Sequence, residues 1–201
     1  MFYNMQDLIE VDLSKFDSSQ ITDMNRMFYG CTKLSFINFT NIITSKVHNM
    51  SYLFYNCYNL ISLDLSNFNT SLTTDFSYIF NNCSSIKKLN LSLFISTLYY
   101  NNTMEYMFNE CNNLKILDIS NLDISNTINI DKIFKGCYNL ENLILSNLKA
   151  FNIEDFSYIF SNLTNLISVD LTNFIGSSVN NTMKGMFYNC NQLKELYLPN
   201  L

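Results

Sequence analysis

Six cysteines are the residues best equipped for chemistry in this chain: Cys31, Cys57, Cys83, Cys111, Cys137 and Cys190. A thiolate can attack, bind a metal or pair in a disulfide. Here all six occupy the same position of an internal repeat, and Met5 and Leu163 hold that position in the other two repeats. A site that accepts Met and Leu is apolar filler, a common use of buried free Cys. Side chains projecting in parallel suit a disulfide poorly, although rungs about 4.8 Å apart would bring the Cα atoms within range. A single row also cannot surround a metal tetrahedrally. His48 is the only histidine, and the repeat supplies no carboxylate or thiol partner for acid–base work. Gly-rich phosphate loops, nucleophile elbows and metal-ligand motifs are missing. The expectation is a protein without catalytic activity, metal or cofactor.

Two sets of side chains could instead recognise a partner. The outward position of each strand reads Asp12, Asn38, Asp64, Asn90, Asp118, Ile144, Asp170, Tyr197. Its acids are separated by neutral residues, so like charges stand about 10 Å apart, whereas adjacent ones would destabilise a ribbon. Asp12, Asp64, Asp118 and Asp170 are either part of a solvated polar face or a stripe that binds a basic partner or weakly holds Ca2+. The second set is Tyr99 and Tyr100, in a two-residue insertion of the fourth repeat; the seventh repeat carries one extra residue near Gly176, Ser177 and Ser178. Insertions in repeat arrays map to loops, often on the binding side, and Tyr is enriched at interfaces. An ordinary surface bulge is the competing interpretation.

The formal net charge is −5 and Arg26 is the single arginine. This balance speaks against a nucleic-acid surface and against polybasic membrane contact. No apolar run approaches the ~18 residues of a membrane-spanning helix. Met1 to Leu13 carries Asp7, Glu10 and Asp12 without a basic cluster, unlike a secretory signal. The expected partner is a protein.

The elements that hold these columns follow from one periodicity. Phe recurs at Phe2, Phe28, Phe54, Phe80, Phe108, Phe134, Phe160 and Phe187, at intervals of 26, 26, 26, 28, 26, 26 and 27. Repeats start near residues 1, 27, 53, 79, 107, 133, 159 and 186. Within one, Leu63 and Leu65 flank Asp64 with period two, which predicts a short strand buried on one face. Met24, Met27, Phe28 and Cys31 have the spacing of one helix face. Asp23, Asn49, Asp75, Thr103, Asn129, Asp155 and Thr182 stand where an N-cap belongs. Asn4, Gly30, Asn56, Asn82, Gly136, Asn162 and Asn189 stand where a left-handed C-terminal residue belongs, with Glu110 the exception. A further extended segment is expected near Ile21, Val47, Ile153 and Val179. The predicted fold is α/β: a leucine-rich-repeat solenoid with one parallel β-ribbon and a short helix per repeat, a single array of about seven and a half repeats over residues 1–201. The first residues fall inside the helical half of a repeat and the last just after a strand. Exposed cut repeats lack the polar caps solenoids need, so a piece of a longer array, a truncated gene product or end-to-end self-association is expected.

The segment Leu60 to Cys83 joins Leu-Asp-Leu-Ser-Asn-Phe-Asn-Thr-Ser to Thr-Asp-Phe-Ser-Tyr-Ile-Phe-Asn-Asn-Cys. It closely resembles the BspA-type leucine-rich repeat of bacterial lipoproteins and of surface proteins in parasitic protists, and the likeness extends over essentially the whole chain. The resemblance implies a cell-surface or extracellular location and adhesion to host or extracellular-matrix proteins. The alternative is an intracellular or self-associating scaffold.

Overall fold

A single apolar residue between two polar ones produces each strand, because alternate side chains leave opposite faces. In a computed structural model, which describes residues 1–91, 94, 102–120, 122, 124–145, 149–150, 153, 155–172, 175–176 and 182–198, such strands run Glu10–Asp12, Phe36–Asn38, Ser62–Leu63, Lys88–Asn90, Ile116–Asp118, Asn142–Ile144, Ser168–Asp170 and Glu195–Tyr197. All pairings are parallel and in step: Val11 faces Ile37, Leu63 faces Leu89, and Leu89, Leu117, Leu143, Val169 and Leu196 follow in line. The chain is a parallel β-solenoid, and each turn contributes one strand to this ribbon. The expected single ribbon is divided into two hydrogen-bonded sheets, of two and six strands, between Phe36–Asn38 and Ser62–Leu63. Ile37 and Leu63 nevertheless share one buried core, so the stack continues there by packing.

The expected helix is absent: the described residues contain none. The Met24–Leu34 segment is a chain of tight turns. Met27, Tyr29, Cys31 and Leu34 donate to the carbonyls of Met24, Arg26, Phe28 and Cys31, three residues back. The intervening Met24, Arg26, Phe28 and Gly30 donate across to Asn49, Ser51, Leu53 and Tyr55 of the next rung, at 2.8–3.1 Å. A helix would need those N–H groups for bonds within its own turns; stacking takes them instead. Arg26 and Gly30 have φ of 55° and 71°, and a left-handed residue at every fourth position stops a right-handed helix from propagating. Turns of this kind place residues 24, 27, 28 and 31 on one side just as a helix would. The Asn and Gly column is left-handed as expected, and Glu110, at φ 59°, adopts the same conformation.

The supposed N-cap column has a related duty. The Oδ1 atoms of Asp23, Asn49, Asp75, Asn129 and Asp155 accept the N–H two residues on, at 2.7–2.9 Å. The column is also a second parallel stack, bridging Asp23 to Asn49, Asn49 to Asp75, Asp75 to Thr103 and Asp155 to Thr182. Asn102–Thr103 pairs with Thr127–Asn129 through a register irregularity, at the end of the two-residue insertion. Lys149–Ala150 pairs with Ile175–Gly176.

The core is the phenylalanine spine. Phe2, Phe28, Phe54, Phe80, Phe108, Phe134, Phe160 and Phe187 stack in order, with centroids 5.1–6.0 Å apart and planes within 17°. Burial of each of the inner rings, Phe28 to Phe160, contributes roughly 1.5–3 kcal/mol.

Candidate functional site

The six thiols explain themselves through the spine. Each Sγ donates to the carbonyl of a Phe in the preceding rung: Cys31 to Phe2, Cys57 to Phe28, Cys83 to Phe54, Cys111 to Phe80, Cys137 to Phe108 and Cys190 to Phe160, at 3.0–3.2 Å. Cys is thus apolar filler with one weak donor. All six are free. Burial pushes the thiols of Cys57, Cys83 and Cys111 far above their ordinary range, and that of Cys137 up to about 12. A thiol so hard to ionise is a poor nucleophile or metal ligand. Among the described residues, no group of three His, Cys, Asp or Glu side chains is placed to hold a metal. His48 is exposed, and its backbone joins two rungs through Thr22 and Thr74.

The strand ribbon's outer face uses few of its side chains for packing. Asp12, Asp64, Asp118 and Asp170 stand in one file on it, separated by Asn38, Asn90 and Ile144, so no two of them are brought together. Each has a structural task. One carboxylate oxygen accepts the N–H of Ser14, Ser66, Ser120 or Thr172 at 2.9 Å, and Asn38 does the same for Thr40 at 3.0 Å. These are Asx turns that end the strands. Donation by Ser14, Ser66 and Thr172 holds the carboxyls of Asp12, Asp64 and Asp170 below the usual range. Tyr99 and Tyr100 lie outside the described residues.

Large apolar side chains share this face: Phe36, Ile116, Ile144 and Tyr197 are 54%, 52%, 38% and 54% exposed. Between the Lys88–Asn90 and Ile116–Asp118 strands the face dips into a hollow of about 460 Å3 lined by Lys87, Lys88, Asn90, Lys115, Ile116 and Asp118. A shallower depression of about 320 Å3, lined by Ser62, Asp64, Lys88 and Asn90, adjoins it. Lys115 bonds Glu141 at 2.8 Å. Sequence reasoning missed the hollow because the column that Lys87 and Lys115 share carries Ile61 before them and Glu141 after them, and Lys88 comes from the neighbouring column, so no run of lysines marks it.

The turn side carries a second unforeseen feature. Arg26, Tyr52, Tyr78, Tyr106, Lys132 and Tyr158, two residues before each Phe, are all left-handed, at φ of 52–60°. Tyr52, Tyr78 and Tyr106 stack with centroids 4.6–4.7 Å apart. The Arg26 guanidinium lies 4.6 Å from the Tyr52 ring centre and the Lys132 ammonium 5.0 Å from that of Tyr106, so a cation covers each end of the pile. Tyr3, Tyr29 and Tyr55 form a parallel file at 4.7–5.0 Å. The recurrence of Tyr at a fixed distance before Phe was the available signal.

Comparison with known structures supports the architecture. The chain is similar to a leucine-rich repeat protein of T. pallidum, with 19% identity and a TM-score of 0.57, covering 92% of this chain and 78% of that one. A leucine-rich repeat protein of Bacteroides ovatus matches with 18% identity and a TM-score of 0.38, over 98% of this chain and 57% of that one. A leucine rich cell surface protein of Faecalibacterium prausnitzii matches with 13% identity and a TM-score of 0.32, over 100% and 75%. The fold assignment rests on the first. No curated protein matches. A protein family described as "Mycoplasma protein of unknown function, DUF285" matches at residues 1–96 and again at 102–197. Among the described residues no helix is long and apolar enough to cross a membrane.

Proposed function

On the premise that this chain of BspA-type leucine-rich repeats belongs to the Mycoplasma family of unknown function DUF285, we propose that it is a non-enzymatic protein-binding module that adheres to host or extracellular-matrix proteins from the cell surface. The observation that carries this reading is the exposure of large apolar side chains, Phe36, Ile116, Ile144 and Tyr197, spread among polar ones over the ribbon's outer face. The strands beneath keep only the alternate residues for the core, and their backbone groups are spent on neighbouring rungs. A rigid surface with large apolar side chains among polar ones is the usual composition of an interface. Asp12, Asp64, Asp118 and Asp170 supply acceptors around it, and Tyr99 and Tyr100, carried by the fourth-repeat insertion, are proposed as further contacts on their residue type alone. The thiols face inward, and among the described residues no acid or thiol is placed beside His48 to make a reactive group of it.

Binding of the chain to immobilised extracellular-matrix proteins, followed by surface plasmon resonance, tests the proposal. Phe36→Lys combined with Ile144→Lys should abolish capture of whichever matrix protein the native chain binds, while circular dichroism stays unchanged. Undiminished capture by that variant removes the outer face from the function. Equal capture by Tyr99→Ala plus Tyr100→Ala removes the insertion.

A further inference from the structure

We propose that the hollow between the Lys88–Asn90 and Ile116–Asp118 strands seats an acidic segment of a protein partner, with a carboxylate held by the lysines and an apolar neighbour laid on Ile116. This rests on the outer-face reading above and gives that face a specific anchor.

Charge carries the argument first. The chain is acidic, −5 overall, yet Lys87, Lys88 and Lys115 converge on one hollow of about 460 Å3. Lys115 is neutralised by Glu141 at 2.8 Å, and Lys33 and Lys132 by Asp7 and Asp131 at 2.7 Å. Lys87 and Lys88 form no ion pair among the described residues, so two exposed ammonium groups are left facing solvent on consecutive residues. The strand register places Lys88 beside Ile116 on one side and Ser62 on the other. The apolar centre selects the class of ligand. Ile116 is half exposed inside the ring of lysines, a surface that suits an aliphatic side chain and not a sulfated sugar. Asp118 and Asp64, at opposite ends of the two adjoining depressions, repel a uniformly anionic chain and restrict the acid to the middle. The volume is that of a compact ligand pocket, enough for a short stretch of chain.

Fluorescence anisotropy on the full chain tests this with a labelled peptide of alternating Glu and Leu and a control in which Gln replaces Glu. The acidic peptide should bind about tenfold tighter than the control, and Lys87→Glu plus Lys88→Glu should erase that difference. Lys194→Glu, on an exposed lysine two strands beyond Glu141, should leave it unchanged. Lys87→Gln plus Lys88→Gln should also lose the preference, which guards against misfolding of the charge-reversed form. The proposal falls if both peptides bind alike, if the lysine variants keep the preference, or if heparin binds the hollow tighter than the acidic peptide. Capture of a matrix protein without preference for the acidic peptide preserves the outer-face function and discards the anchor. A lysine-dependent preference without capture of any matrix protein does the reverse.

Discussion

Asp64 illustrates how one residue type can be read correctly for place and incompletely for purpose. Its outward position follows from the alternation of Leu63 and Leu65. Its turn-closing bond to the Ser66 N–H, at 2.9 Å, was foreshadowed by the Asp-x-Ser order that recurs at Asp12, Asp118 and Asp170 (with Thr172), an Asx-turn signature. The bond favours the ionised carboxylate and holds its pKa below the unfolded value, as at Asp12 and Asp170. A depressed folded pKa means stability that is fully present above the unfolded carboxylate value, near pH 3.8, and lost as pH falls through the folded value. The urea midpoint should therefore drop as pH is lowered from 5 towards 3. Asp64→Asn keeps the Asx acceptor and removes the titration, so its midpoint should fall less over that interval. A variant whose pH profile superimposes on the native one would show that the Asp64 turn contributes no linkage. Cysteine was the simpler case: the Met5 and Leu163 substitutions within the column disclosed apolar use, whereas donation from sulfur to a Phe carbonyl leaves no mark in spacing.

At the level of the element, the turn segment was legible in its apolar face and in its Asn and Gly column but not in its hydrogen bonding. Residues at i, i+3, i+4 and i+7 share a face in a helix and equally in successive tight turns, and only the second left-handed position distinguishes them. That position is occupied by Arg26, Tyr52, Tyr78, Tyr106, Lys132 and Tyr158, types for which positive φ is uncommon. Stacking across rungs offsets the local cost, a tertiary effect that no single repeat displays. The stack breaks at Lys132, whose ammonium turns to Asp131 and to the Tyr106 ring. The cross-rung ladder breaks at the same place. Met104 and Tyr106 donate to Asn129 and Asp131, and Phe156 and Tyr158 to Thr182 and Lys184. Among the described residues no such bond joins Ile130, Lys132, Phe134 or Gly136 to the following rung. A cleft of about 450 Å3, lined by Ile128, Asn129, Ile130, Asp131, Lys132, Ile153, Asp155, Ser157 and Ile159, opens along this seam. Hydrogen exchange should find the amides of Ile130 and Lys132 roughly fivefold faster than those of Met104 and Tyr106, the factor expected from about 1 kcal/mol of net hydrogen bonding. Equal protection at both pairs would show that the seam is closed in solution.

For the whole molecule the governing fact is that each rung touches only its neighbours, so stability is a sum of rung and interface contributions. The repeat length, the strand register and the order of the spine could all be read from the recurrence of Phe, because a period repeated eight times leaves one way to stack. The division of the ribbon after Phe36–Asn38 could not, since the repeats on either side have the same length and pattern. The same nearest-neighbour logic sets how a spine substitution should act. Phe108 is fully buried between Phe80 and Phe134, at 5.8 and 6.0 Å. Phe108→Ala removes both contacts and leaves a cavity that rigid rungs above and below cannot collapse, at a cost of about 3–5 kcal/mol. Phe2 is only half-buried and has one stacked neighbour, Phe28, at 5.1 Å, so Phe2→Ala should cost distinctly less. Urea denaturation of both variants reads the difference directly. Interior loss should also propagate, because a weakened interface in the middle of a one-dimensional stack separates the rungs on its two sides; the transition of Phe108→Ala should broaden as well as shift, while that of Phe2→Ala should keep the native slope. Equal costs for the two substitutions, or an unshifted midpoint for Phe108→Ala, would mean that the aromatic file does not carry the stability of the solenoid.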